Sequence, residues 1–170
     1  MRSRAVAVAL AMVVVAVILQ TTLFGEGRIQ PFGASPNLVV VVVIATVRHL
    51  DTEAGLLVGF TGGLLMDLLG GSPLGLWAMV MTVVAYLTLR LRHRADDGVL
   101  SVAIGVFALT FLAHSLFVLA GTLFGQRLLT DLDVVRLMLL PSLYNMLLAA
   151  VVLPLATRLM GARRVDSWAA

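Results

Sequence analysis

The sequence predicts an all-α integral membrane protein with six transmembrane helices and both termini in the cytoplasm. Of its 170 residues 61% are hydrophobic, and the mean hydropathy is +1.06, far above the balance of a soluble domain. The apolar residues fall in long runs, separated by short segments rich in glycine, proline or charge. Because these runs use almost the whole length, we predict one membrane domain over residues 1–170, with no separate soluble catalytic domain.

Six apolar runs define the predicted spans. We place them at approximately residues 5–23, 34–50, 54–69, 74–89, 99–124 and 134–160. A run of about 20 residues crosses ~30 Å of hydrocarbon at a helical rise of 1.5 Å per residue. The second run is the exception, because the 11 residues from Asn37 to Val47 do not cross alone. We expect this helix to recruit its flanks, to tilt, or to let Arg48 reach the interface.

Local signals refine the boundaries of these helices. The first run lacks an A-x-A cleavage site after it, which favours an uncleaved first span over the alternative of a signal peptide. Pro36 suits the first turn of the second helix, where its missing N–H costs nothing. Thr52 is a possible cap of the third helix. Pro141 and Pro154 predict a bend in the last helix.

The arginine distribution supports six crossings. All 12 basic residues are arginines. Nine lie on the cytoplasmic side of this topology (Arg2, Arg4, Arg48, Arg90, Arg92, Arg94, Arg158, Arg163 and Arg164) and three on the other side (Arg28, Arg127 and Arg136). This bias is what the positive-inside rule requires. The arginines form no basic face interleaved with aromatic residues, which argues against nucleic-acid binding. The absence of cysteine excludes disulfides and thiolate chemistry.

A stripe of small residues marks the third span. Gly55, Gly59, Gly63 and Asp67 are spaced four apart, so they share one face of a helix. Glycines at this spacing let a second backbone approach closely within a membrane. An ionised carboxylate at bilayer depth costs at least ~2.5 kcal/mol on insertion scales, so it normally faces protein or water. We therefore predict a buried seam that ends in a polar contact at Asp67.

Several partners are open to Asp67. Arg136 begins the last span on the same side, and an Asp67–Arg136 pair would lower the cost of burying both charges. Gln20 ends the first span at similar depth, where it bonds a neighbouring helix or reaches the headgroups. The alternative to a structural contact is a transport function, in which Asp67 lies on a proton-coupled path. Against that alternative, the sequence contains no second intramembrane acid and no visible inverted repeat.

The remaining polar residues of the spans predict helix packing. His114 stands alone in an apolar helix, so an interhelical hydrogen bond is favoured over a metal site. Asn145, beside Tyr144 in the last span, is interpreted as a clamp between helices. No phosphate-binding loop, nucleophile elbow or metal-ligand cluster is present, so we predict neither an enzyme nor a cofactor.

One segment is specific enough to indicate a family. Residues 59–75, GFTGGLLMDLLGGSPLG, together with Ala85-Tyr86-Leu87, resemble the MreD family of bacterial rod shape-determining membrane proteins. Gln20, the Pro36-Asn37-Leu38 motif and the residues from Pro141 to Asn145 support the resemblance. The residues predicted to have helix-packing or structural polar roles are Gly55, Gly59, Gly63, Asp67, Gly75, Gln20, Asn37, Tyr86, Arg136 and Asn145.

The resemblance implies a non-catalytic subunit of the cell-elongation complex in the bacterial inner membrane. Such a subunit supports cell shape and lateral peptidoglycan synthesis by docking the bitopic protein MreC. Through the complex it meets the MreB filament, the glycosyltransferase RodA and a class B penicillin-binding transpeptidase, besides membrane lipids. The family is also considered similar in fold to the S components of energy-coupling-factor transporters. The alternative function is therefore a vitamin-binding S component, with a ligand pocket near its outer face.

Overall fold

The computed structural model describes residues 2–24, 29–92, 98–126 and 134–161, which form six α-helices and no strand. The helices are α1 (Arg2–Leu23), α2 (Leu38–Val47), α3 (Thr52–Leu69), α4 (Leu76–Leu91), α5 (Val99–Leu123) and α6 (Val134–Met160), and a 3₁₀ turn at Pro31–Gly33 precedes α2. The prediction of an all-α chain with six helices is confirmed. Five of the arginines in the topology prediction lie outside the described residues, namely Arg28, Arg94, Arg127, Arg163 and Arg164.

Four of the six helices are long and apolar enough to cross a membrane by themselves. These are α1, α3, α5 and α6, with apolar stretches of 21, 18, 24 and 27 residues. The other two helices, α2 and α4, are apolar but contain only 10 and 16 residues. The predicted second span, residues 34–50, is thus helical over only part of its length, about 15 Å at the standard rise.

The short helix α2 lies at the centre of the bundle. It contacts all five other helices, and these form a ring around it in the order α1, α3, α4, α5, α6 and back to α1. Its nine residues from Val39 to Val47 are all buried. A helix that is apolar on every side belongs in the interior of a helical protein. The run of valines therefore packs against protein, and α2 does not need the full length of a lipid-exposed span.

The helix starts differ from the sequence expectations at two positions. The residue that caps α2 is Asn37, whose Oδ1 accepts from the Val40 N–H at 3.2 Å, so Pro36 precedes the helix instead of lying in its first turn. The cap of α3 is Asp51, which accepts from the Ala54 N–H at 3.1 Å. The prediction of Thr52 as the cap is wrong by one residue, because the aspartate offers the stronger, charged acceptor.

The helices alternate in direction, which sorts the polar side chains to two ends of the bundle. One end, here called the amide end, carries Gln20, Asn37, Asp67 and Gln126. The opposite end, here called the arginine end, carries Arg4, Arg48, Arg90, Arg92 and Arg158. The arginine end is tied by a 2.6 Å hydrogen bond from Arg92 Nη1 to the Leu50 carbonyl. Arg136 is the one described arginine at the amide end.

Candidate functional site

The carboxylate of Asp67 caps the start of the neighbouring helix α4. Asp67 is 4% exposed, and its Oδ1 accepts from Ser72 Oγ at 2.8 Å and from the Trp77 N–H at 3.0 Å. Its Oδ2 accepts from the Gly75 and Ala78 N–H groups at 3.0 and 3.1 Å. The first N–H groups of a helix have no partner within that helix, and its positive dipole end attracts an anion. Asp67 thus supplies from α3 the cap that α4 lacks in its own sequence.

Glycine at position 75 explains why the cap comes from another helix. Gly75 is the residue that flanks the start of α4, and it has no side chain to accept a hydrogen bond. Its φ of 94° is a left-handed conformation that favours glycine. The backbone turn that needs this glycine therefore leaves the α4 N–H groups to be satisfied by Asp67.

The glycines of α3 form a close contact with α4. A Cβ added at Gly63 would overlap the Trp77 carbonyl group and lie 2.6 Å from the Ala78 Cα atom. At Gly59 an added Cβ would lie 2.6 Å from the Ala85 Cβ atom. Only hydrogen at these positions lets the two backbones meet, which is the packing that small residues allow in membranes. We refer to Gly55, Gly59 and Gly63 as the glycine seam.

The seam opens gradually away from Asp67. At Gly55 an added Cβ would meet side-chain atoms of Leu89 and Val47 at 3.1 and 3.2 Å, so the neighbours there are flexible. Gly62, which the sequence analysis missed, faces the other way and would meet Val13 of α1 at 3.1 Å. Its position one residue before Gly63 places it on a different face of the helix, outside the four-residue stripe.

The backbone before α2 is held on one side by Gln20 of α1. Gln20 Nε2 donates to the Pro36 carbonyl at 3.0 Å, and Gln20 Oε1 accepts from the Leu38 N–H at 2.8 Å. One carboxamide thus satisfies a backbone acceptor and a backbone donor. Non-helical backbone at membrane depth is tolerated only when protein or water satisfies it.

The same backbone is held on the other side by Asn145 of α6. Its Oδ1 accepts from the Asn37 N–H and its Nδ2 donates to the Asn37 carbonyl, both at 3.0 Å. Nδ2 also lies 3.3 Å from Thr110 Oγ1 of α5. Asn145 is fully buried. We call Gln20 and Asn145 the amide clamp, because together they hold the segment that ends where α2 begins.

A cleft opens at the amide end because α2 stops short there. The backbones of α1 and α5 do not come close to each other across it. The cleft has two parts of about 750 and 300 Å³, which share Gln20, Gln30, Trp77 and Phe117 in their walls. The rings of Trp77 and Phe117 stack with centroids 4.4 Å apart. The described residues that line either part include no Asp, Glu or Arg, and this described wall offers aromatic rings and hydrogen-bonding groups.

Arg136 and Tyr86 do not join these contacts. Arg136 Nη2 donates to the carbonyl of Phe32, whose φ of 55° is left-handed. The suggested Asp67–Arg136 pair is therefore not formed, because both groups have other partners. Tyr86 is 42% exposed on the outside of α4, where Arg90 Nε donates to its hydroxyl at 3.1 Å and the guanidinium lies 5.2 Å from its ring centroid.

His114 bonds within its own helix instead of between helices. Its Nδ1 lies 2.8 Å from the Thr110 carbonyl, four residues earlier. A carbonyl can only accept, so this nitrogen carries the proton. The His114 ring also packs edge-on against the ring of Trp77 in α4, with the two ring centroids 5.8 Å apart. This aromatic cluster and Ser72 were missed by the sequence analysis, since neither has a spacing signal.

These features define a polytopic helical membrane protein whose buried polar groups hold helices and turns in place. In the described part of the chain, no three His, Cys, Asp or Glu side chains gather in a metal-binding group. The family described as rod shape-determining protein MreD matches residues 1–162, so the chain belongs to the MreD family. It is a multi-pass protein of the bacterial inner membrane. No curated protein and no solved structure matches the chain significantly.

Proposed function

We propose that this protein is a non-catalytic subunit of the cell-elongation complex that docks an MreC-like bitopic partner at the amide-end cleft. Membership of a rod shape-determining family supports a role in cell shape. The cleft is the observation on which the docking site rests. A cleft of about 750 Å³ between α1, the α3–α4 turn and the end of α5 is large enough for several residues of a polypeptide.

The chemistry of the cleft suits an extended polypeptide. Its wall carries the carboxamides of Gln30 and Gln126 beside the aromatic rings of Trp77 and Phe117. Carboxamides both donate and accept, so they can pair with the backbone of an incoming segment, as Gln20 already does with the backbone at Pro36 and Leu38. The aromatic rings offer apolar area for its side chains. The MreB filament, RodA and the class B transpeptidase are then reached through the partner.

Site-specific crosslinking tests the docking site. The chain has no native cysteine, so Gln30→Cys or Gly71→Cys, both in the cleft wall, would carry a single photoactivatable thiol reagent. The matched control is Leu147→Cys, 68% exposed on α6 and away from the cleft. In native membranes we expect adducts with an MreC-like protein from the cleft positions and few from Leu147. Adducts equally abundant from Leu147 would contradict docking at the cleft.

The alternative of a vitamin-transporter S component also rests on this cleft, because a vitamin-sized molecule fits the smaller part of about 300 Å³. A mild-detergent pull-down of the tagged protein separates the two functions. Recovery of an MreC-like bitopic protein with cell-wall synthases supports the elongation complex. Recovery of a small transmembrane coupling protein and paired ATPases supports the transporter and overturns our proposal.

A further inference from the structure

A separate cavity lies at the arginine end, between the start of α1 and the end of α6. Its volume is about 190 Å³, and Arg4 and Arg158 both line it. Its remaining wall includes the apolar side chains of Val8, Leu159 and Met160. This cavity lies at the opposite end of the bundle from the amide-end cleft, and none of the contacts described above uses it.

The cavity sits at the weakest seam of the helix ring. Of the five contacts between neighbours in the ring, the one between α1 and α6 is the least extensive. Helix association in membranes depends on close packing and on the lipids that fill the remaining space. A loosely packed seam that faces the bilayer is therefore open to a lipid molecule.

The two arginines make the cavity selective for an anion. Arg4 and Arg158 are both exposed, and neither forms a hydrogen bond or ion pair with the residues that the structure describes, whereas Arg92 is bound to the Leu50 carbonyl. None of the described residues that line the cavity is acidic. Basic pockets between membrane helices bind the headgroups of anionic lipids. A free anion would satisfy the charge alone, but the apolar walls fit a ligand that also carries hydrocarbon.

We propose that Arg4 and Arg158 bind the headgroup phosphate of an anionic phospholipid, and that its glycerol and upper acyl carbons contact Val8, Leu159 and Met160. The lipid then fills the α1–α6 seam and connects the start of α1 to the end of α6. Arginine is suited to this role because its planar fork matches two phosphate oxygens.

Lipid titration of the purified full chain tests this site. The protein would be delipidated in mild detergent and titrated with phosphatidylglycerol or phosphatidylethanolamine, with bound lipid counted by native mass spectrometry. We expect tighter binding of phosphatidylglycerol, and a loss of about fivefold in its affinity for each of Arg4→Gln and Arg158→Gln. The matched control is Arg90→Gln, an exposed arginine at the same end that lies over Tyr86. The affinity of this control variant for phosphatidylglycerol should change less than about twofold.

Three results would overturn the site. Equal affinity for the two lipids would remove the charge selectivity, and an equal loss in Arg90→Gln would show diffuse attraction instead of a pocket. Displacement of the lipid by millimolar inorganic phosphate would identify a free-phosphate site. Arg158→Lys guards against a folding defect, because it keeps the charge but lacks the planar fork and should bind phosphatidylglycerol more tightly than Arg158→Gln does. Since the isolated protein is used, the outcome does not depend on docking of an MreC-like partner.

Discussion

At the scale of single residues, the side chain of Asp67 is tightly constrained. Four donors occupy its two oxygens, which is the full acceptor capacity of a carboxylate. Three of these donors are backbone N–H groups at the start of α4. This arrangement favours a structural role for Asp67 over the proton-transport alternative, because all four contacts are with the turn before α4 and the start of α4.

Replacement of Asp67 by asparagine tests this cap. The Asn NH₂ group cannot accept, so at least one α4 N–H group is left without a partner, although Ser72 can reverse its hydroxyl. We expect Asp67→Asn to lower the free energy of unfolding by about 2 kcal/mol and Ser72→Ala by about 1 kcal/mol. Denaturation in mild detergent measures both. An unchanged stability of Asp67→Asn would contradict the capping role of the carboxylate.

At the scale of helices, the glycine seam sets the distance between α3 and α4. An alanine Cβ at Gly63 would meet backbone atoms, which cannot turn away as a side chain can. We expect Gly63→Ala to lower the free energy of unfolding by about 2–3 kcal/mol. Gly105→Ala in α5 is the matched control, because an added Cβ there meets nothing within 4 Å. This control should be neutral or stabilising by up to ~1 kcal/mol.

The order of effects along α3 provides a second check on the glycine seam. Gly62→Ala should be milder than Gly63→Ala, because it meets the tips of valine side chains at 3.1 and 3.2 Å. If all three alanine variants, including the one at Gly105, lost stability equally, the loss would reflect something other than helix contact. The thermal midpoint in detergent is a sufficient measurement for this comparison.

The amide clamp makes the short helix α2 possible. Gln20→Leu and Asn145→Leu replace the carboxamide by an apolar side chain and leave buried backbone groups unpaired. We expect each to cost about 1–2 kcal/mol in the free energy of unfolding. Because both side chains hold the same three-residue segment, the double variant should lose less than the sum. Strictly additive losses in a double-mutant cycle would show that the two amides act independently.

At the scale of the whole molecule, the distribution of the arginines predicts which end faces the cytoplasm. Among the described arginines, only Arg136 lies at the amide end, so we expect from the positive-inside rule that the arginine end faces the cytoplasm. The two proposed binding sites also lie at opposite ends of the bundle and differ in chemistry, because carboxamides and aromatic rings line the amide-end cleft and Arg4 and Arg158 line the other cavity. We expect the stem of the partner to dock at the amide end, on the extracytoplasmic side of the membrane. We expect the lipid to bind at the arginine end, in the cytoplasmic leaflet.

Labelling of single cysteines tests this orientation. Gly71 and Glu53 are exposed at opposite ends of α3. In cells with a permeabilised outer layer, a membrane-impermeant maleimide should label Gly71→Cys directly and Glu53→Cys only after lysis. The absence of native cysteine removes the background. Labelling of Glu53→Cys in intact cells would reverse the topology and move both proposed sites to the opposite sides.

Much of this architecture could be predicted from local sequence. Apolar runs determine which segments become helices, because each helix satisfies its own backbone and its hydropathy decides whether it enters lipid. The four-residue spacing of Gly55, Gly59, Gly63 and Asp67 likewise predicts one shared face, since the helical period is a local property. Composition and the family resemblance also predicted a membrane protein of the rod-shape system.

Which surfaces meet was decided only by the tertiary structure. The sequence offered Arg136 as a partner for Asp67, yet the carboxylate reaches the start of α4 and Arg136 reaches Phe32. The run of valines in α2 looked like an incomplete span, yet five helices surround it. Both outcomes depend on contacts between residues distant in sequence. Such contacts are chosen by packing and by the need to satisfy every buried polar group, and no local pattern encodes them.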